Sequence, residues 1–192
     1  MSNKSSRNAH SSSHKSSHVE IEAKFEVVPG ELERVKDQLI ALGATLIARR
    51  QAEDNELFDF EDGRFRQFGC TLRLRSYGKD HLLTFKGPVQ PDAKLKKRDE
   101  LETAVTRGTV IRQILIQLGL RVTFRYSKFR EIFQLQWQGG PLQVCLDETP
   151  VGAFVEIEGP AEAIHELARH LGFHDYIKQS YIDLYTQRLK GS

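Results

Sequence analysis

The chain has 192 residues and a formal charge of only +2, because Lys plus Arg (28) nearly cancels Asp plus Glu (26). That length suits one domain with its own core, and the charge balance excludes a general nucleic-acid coat, which needs a basic excess. Two cysteines, Cys70 and Cys145, are too few for a disulfide framework, and no apolar run precedes Val19; a soluble, cytoplasmic protein without signal peptide or membrane span is expected.

Residues 1–18 are almost entirely Ser, Lys, Arg, Asn and His, with Ala9 the one apolar side chain after Met1. Such a segment cannot repay the entropy of ordering and reads as a disordered tail. The spacing of His10, His14 and His18 would make a metal site only on a helix, which a Ser-rich sequence disfavours. Residues 19–190 then form the folded domain.

From Val19 the pattern alternates, with Val19, Ile21, Ala23 and Phe25 on one face and Glu20, Glu22, Lys24 and Glu26 on the other. This predicts a strand with one charged face. Pro29 and Gly30 end it, and Leu32, Val35, Leu39 and Leu42 recur at helical spacing up to Gly43, a C-terminal cap. Strands are predicted at residues 45–50 and 56–60, then, after an Asp62-Gly63 turn, at 71–77 and, after Gly78, at 81–86. Residues 87–97, rich in Pro and Lys, read as a flexible loop. A strand over 98–103 and a helix over 109–118 follow. Residues 120–137 and 141–147 read as a hairpin turning at Gly139-Gly140, and 153–159 as another strand. Helices over 160–171 and 181–189 close the chain. The expected fold is α+β: about eight antiparallel strands closing into a barrel, with peripheral helices.

Chemistry concentrates on the charged strand faces: Glu20, Glu22 and Lys24; Arg73 and Arg75; Lys86; Arg98, Glu100 and Glu102; Lys128, Arg130 and Asp147; Glu156 and Glu158. Period two puts the members of each set on one face. A solvent-facing sheet would explain any one set. Ordinary surface faces mix Thr, Ser, Gln and Lys, whereas these hold almost nothing but ions. If they line a barrel, its lumen holds seven carboxylates and seven cations, an arrangement that needs a ligand to organise it. Guanidinium and ammonium groups suit a polyphosphate, and carboxylates suit Mg²⁺ or Mn²⁺.

The same residues resemble the CYTH domains of the triphosphate tunnel metalloenzymes. Glu20-Ile-Glu-Ala-Lys24 matches the family's opening ExExK. The resemblance runs on through Leu72-Arg-Leu-Arg75, Leu83-Thr-Phe-Lys-Gly-Pro88, Arg98-Asp-Glu-Leu-Glu102, Ser127-Lys-Phe-Arg130, Leu146-Asp147 and Phe154-Val-Glu-Ile-Glu158 to Lys178, just before Ser180-Tyr181. It implies an eight-stranded tunnel in which Lys24, Arg73, Arg75, Lys86, Arg98, Lys128, Arg130 and Lys178 bind a triphosphate. Glu20, Glu22, Asp147, Glu156 and Glu158 would serve one or two Mg²⁺ or Mn²⁺ ions, while Glu100 and Glu102 hold metal through water or orient the arginines.

Glu20, Glu22 and Lys24 are the catalytic candidates. Lys24, crowded by other cations, is expected to have a lowered pKa and to act as general base, or else to be a plain phosphate ligand. Hydrolysis of inorganic triphosphate, hydrolysis of an organic triphosphate such as thiamine triphosphate or a nucleotide, and cyclisation of ATP to cyclic AMP all suit this resemblance. Hydrolysis leads, because no purine pocket is evident. A non-catalytic polyphosphate-binding module would need cations alone. The expected partner is a small-molecule triphosphate bound by a monomer or homodimer. Trp137, Phe133 and Phe129 read as packing, Cys145 as an inert buried thiol, and His81, His165, His170 and His174 as surface or packing residues.

Overall fold

The structure, a computed structural model, describes residues 18–28, 30–92 and 94–189. The expected tail lies outside these residues, apart from His18, where the first strand begins. Eight strands, β1 (His18–Val27), β2 (Thr45–Asp59), β3 (Thr71–Tyr77), β4 (Asp80–Lys86), β5 (Lys96–Val105), β6 (Arg121–Trp137), β7 (Gly140–Thr149) and β8 (Gly152–Glu158), are interleaved with five helices among the described residues. The helices are α1 (Glu31–Ala41), α2 (Arg64–Gln67), α3 (Gly108–Gln117), α4 (Ala161–His170) and α5 (Tyr181–Leu189). The strands close into an antiparallel barrel in the order β1-β5-β4-β3-β2-β6-β7-β8.

The alternation along β1 sets the layering. Ala23, Phe25 and Val27 join Val144, Val155 and Ile157 on the outer face of the barrel, where Val35 and Leu39 of α1 and Ile164 and Leu167 of α4 cover them. A second cluster joins Phe58 and Leu74 to Leu115 of α3, and a third joins Leu57, Tyr126 and Phe154 to Tyr181, Leu184 and Tyr185 of α5. Apolar burial therefore lies largely between barrel and helices, which frees the lumen for ions. α1 stops where Gly43 takes a left-handed φ of 84°, letting Ala44 donate back to the Leu39 carbonyl.

Three elements differ from the sequence reading. The segments predicted at 45–50 and 56–60 are one strand, β2, because β6 pairs along its whole length and absorbs its polar middle through register shifts at Leu46/Ala48, Ala48/Gln51 and Leu57/Phe58. The strand predicted from Arg98 starts at Lys96, whose pairing with Glu22 of β1 takes it out of the Pro-rich loop. The four-residue α2 was not predicted; Asp59 nucleates it by accepting bonds from the Phe65 and Arg66 amides. Among the described residues no helix is long and apolar enough to cross a membrane, and Cys70 and Cys145 are both free.

Candidate active site

Even-numbered residues of β1, β5, β6 and β8 and odd-numbered residues of β3 face a cavity of about 300 Å³ inside the barrel. Of the sequence candidates, Glu20, Glu22, Lys24, Arg73, Arg75, Lys86, Arg98, Glu100, Glu102, Lys128, Arg130, Glu156 and Glu158 line it.

The charges sort into two walls. On the first, built by β1, β4, β5 and β8, Lys86 Nζ donates to Glu20 Oε1 at 2.5 Å and pairs with Glu100 Oε2 at 2.8 Å. Glu20 Oε2 has no hydrogen bond and lies 3.8 Å from Arg98 Nε. Burial pushes the Glu158 carboxyl up to about 7, and the charges of Glu20, Glu100 and Glu22 add to this against the opposing pull of Lys86.

On the second wall, built chiefly by β3 and β6, Arg130 grips Asp147 through Nε and Nη2, each at 2.6 Å, and also bonds Glu156. Lys128 Nζ donates to Asp147 Oδ2 at 2.8 Å. Buried guanidinium nitrogens of Arg73 (Nε and Nη2) and Arg75 (Nε) have no hydrogen-bond partner, nor does Arg98 Nε. Buried donors of this kind want an oxyanion.

Where the walls meet, Lys24 Nζ lies 3.3 Å from Glu156 Oε1, 3.3 Å from the Gln179 carbonyl and 3.8 Å from the centre of the Tyr181 ring. Lys96 Nζ reaches the same carbonyl at 3.3 Å. Lys96 is held below the ordinary lysine value by burial first and by the charge of Lys24 next.

Two candidates fall outside the lining. Asp147 is fully buried and faces Lys128, Arg130 and the Tyr181 hydroxyl, which donates to it at 2.5 Å. Lys178 Nζ donates to the Asp92 carbonyl at an exposed position. Three residues that the charged-face pattern does not single out join this cluster: Lys96 and Tyr181, which line the cavity, and Glu53, a buried carboxylate 3.4 Å from Lys128 Nζ. The sequence signal for Lys96 was its parity with Arg98. Cys145 also lines the cavity, where burial pushes its thiol up to about 12 and keeps it un-ionised. Of the supposed packing aromatics, Phe133 is core, whereas Phe129 sits half-exposed with the Arg50 guanidinium 4.0 Å from its ring centre.

Divalent cations fit the first wall by donor chemistry. Glu20, Glu22 and Glu158 offer carboxylate oxygens of the kind that hard cations take, and the Glu158 carboxyl, raised first by burial, is raised further by the charges of Glu20, Glu100 and Glu22, a repulsion that a bound cation would relieve. Among the described residues no three His, Cys, Asp or Glu side chains are already gathered as a ligand set, so these side chains would have to draw together around an ion.

The family model for the CYTH domain matches residues 18–174. A Methanocaldococcus jannaschii protein described as a "putative adenylate cyclase" is 27% identical over 179 residues, which cover 86% of this chain and 98% of the relative. A Vibrio parahaemolyticus structure with the same description superimposes with a TM-score of 0.75 at 20% identity, over 87% of this chain and 97% of that one. A Hippeastrum structure, described as a putative adenylyl cyclase with a dominant triphosphatase activity, gives 0.66 at 15% identity over 88% and 95%.

Proposed function

Because the chain belongs to the CYTH domain family, we propose that it is a divalent-metal-dependent triphosphatase that breaks a phosphoanhydride bond of an inorganic or organic triphosphate inside its barrel. The observation that carries this reading is the concentration of both signs of charge in one cavity: carboxylates of β1, β5 and β8 share it with arginines and lysines of β3 and β6 and with Lys24, Lys86, Lys96 and Arg98. A module that only bound polyanions would not need the carboxylates.

In this reading Arg73, Arg75, Lys128 and Arg130 hold the phosphates. The unpartnered guanidinium donors find non-bridging oxygens, and their fixed positions stabilise charge that spreads over those oxygens in the transition state. Lys86 and Arg98, paired with Glu20, contact the same chain from the opposite side. Glu20, Glu22 and Glu158 would hold Mg²⁺ or Mn²⁺, which offsets phosphate charge and positions water when bound. Lys24, beside Glu156 and above the Tyr181 ring, is the group placed to bind a phosphate oxygen or take the water's proton.

The description of relatives as putative adenylate cyclases keeps cyclisation of ATP as the second reading. Hydrolysis is favoured because the two tyrosines lining the cavity stack on each other, with ring centres 5.6 Å apart. That leaves them poorly placed to sandwich a purine. Product analysis by phosphorus NMR decides: with Mg²⁺, orthophosphate released from tripolyphosphate faster than from ATP is expected. Cyclic AMP and pyrophosphate from ATP would make the protein a cyclase.

A further inference from the structure

Glu53 has no part in the chemistry just described, yet it is 1% exposed and surrounded by the phosphate-holding side chains. It sits on β2, in register with Lys128 of β6 and two residues from Asn55, the register partner of Arg75 of β3. Its Oε1 lies 3.4 Å from Lys128 Nζ and accepts a bond from Asn55 Nδ2 at 3.0 Å. Its Oε2 lies 3.6 Å from Arg75 Nε and 3.7 Å from Arg130 Nε, without a hydrogen bond to either. Unlike Glu20 or Glu158, it does not line the cavity. Burial alone would raise its carboxyl; the charges of Lys128, Arg130, Arg75 and Arg73 outweigh this and hold it far below the usual carboxylate range.

We infer that Glu53 is a built-in counter-anion for the phosphate-holding wall, positioned behind it to weaken the grip on triphosphate and so let polyanionic product leave. The inference rests on the triphosphatase reading. Its logic is electrostatic. Clustered buried cations destabilise the fold unless paired. Asp147 pairs with Lys128 and Arg130 from β7 and Glu156 pairs with Arg130 from β8, whereas Glu53 supplies a carboxylate from the other flank, the one that also reaches Arg75. Because Glu53 is screened from the cavity by the cations it pairs with, it remains in place when phosphate arrives. The incoming anion therefore meets a wall already partly discharged. A side chain that merely supported the fold would change stability without changing affinity in this direction.

The test is Glu53→Gln, which keeps shape and removes charge. Without polyanion its melting temperature should fall below that of the wild type. In EDTA, which withholds the metal that the triphosphatase reading requires, calorimetry should show tripolyphosphate binding tighter by roughly tenfold, a modest coupling between linked sites, and the tripolyphosphate-induced rise in melting temperature should exceed the wild-type rise. With Mg²⁺, KM and kcat should both fall, the signature of over-tight binding. Glu53→Asp, with its charge retained, should keep wild-type affinity. Equal or weaker binding by Glu53→Gln overturns the inference. Should Glu53→Gln be unfolded on its own, tripolyphosphate should restore its folded signal, and failure to do so at saturation also overturns it. Absence of phosphate release by the wild type from tripolyphosphate, ATP and thiamine triphosphate alike, with Mg²⁺ or Mn²⁺, overturns the triphosphatase reading itself, and is distinguishable because it precedes any comparison of variants.

Discussion

Lys24 carries two candidate roles, base and phosphate ligand, and a single substitution separates them. Lys24→Ala that binds tripolyphosphate as the wild type does but turns over at least about a hundredfold more slowly, the size of a general-base contribution, assigns the proton transfer to Lys24; a matching loss of binding, read by calorimetry, assigns it to the phosphate. Glu158 gives a pH prediction. Its folded value of about 7 stands above the ordinary 4.5, so the protonated form is the stabilising one. That contribution is full below about 4.5 and is lost as pH rises through about 7. Metal binding must displace the same proton. Mg²⁺ should therefore raise the melting temperature more at pH 8 than at pH 6, and Glu158→Gln should abolish that difference; an equal Mg²⁺ effect at both pH values in the wild type would refute the assignment. At this scale the period-two charge pattern made thirteen lumen residues legible in the sequence. Asp147 has the same parity yet faces Lys128 and Arg130, because two cations on the paired strand capture its carboxylate; that outcome depends on side-chain geometry that no pattern encodes.

Among the elements, α5 links helix to chemistry. Ser180, Tyr181 and Ile182 contribute to the cavity lining, and Arg188 anchors the far end by donating to the Val151 carbonyl at 2.6 Å and to Glu26. Tyr181 packs against Tyr126 and Phe154 while bonding Asp147. Tyr181→Phe, which loses the bond to a charged acceptor, should cost about 1.5–3 kcal/mol, and Tyr181→Ala, which also leaves a cavity, about 3–5 kcal/mol; denaturant midpoints measure both, and an unchanged midpoint in Tyr181→Phe would show that the hydroxyl contributes nothing. β1 and β3 were readable because apolar and charged residues alternate without interruption. β2 was not, because Gln51–Asn55 is polar on both faces except for Ala52, and the strand exists through its long pairing with β6. Glu53 lies in that unreadable stretch, which is why the sequence hid it.

For the whole molecule, the decisive feature is inversion: apolar packing outside the barrel wall, ions within. The lumen's eight cations and six carboxylates, with Glu53 and Asp147 behind them, form a balanced set. A triphosphate alone would upset that balance, and a metal–triphosphate complex upsets it less. Binding of the two should be mutually favourable: Mg²⁺ should tighten tripolyphosphate binding, and chelation by EDTA should abolish turnover, with recovery on re-addition. Turnover that persists in excess EDTA would argue against a metal-dependent reaction. The most direct measurement is a diffraction structure with Mn²⁺ and tripolyphosphate, located by anomalous scattering. Mn²⁺ is expected against Glu20, Glu22 and Glu158 and phosphates against Arg73, Arg75, Lys128 and Arg130, inside the barrel. Ligand density confined to the outer surface, or phosphates held away from those four cations, would contradict this.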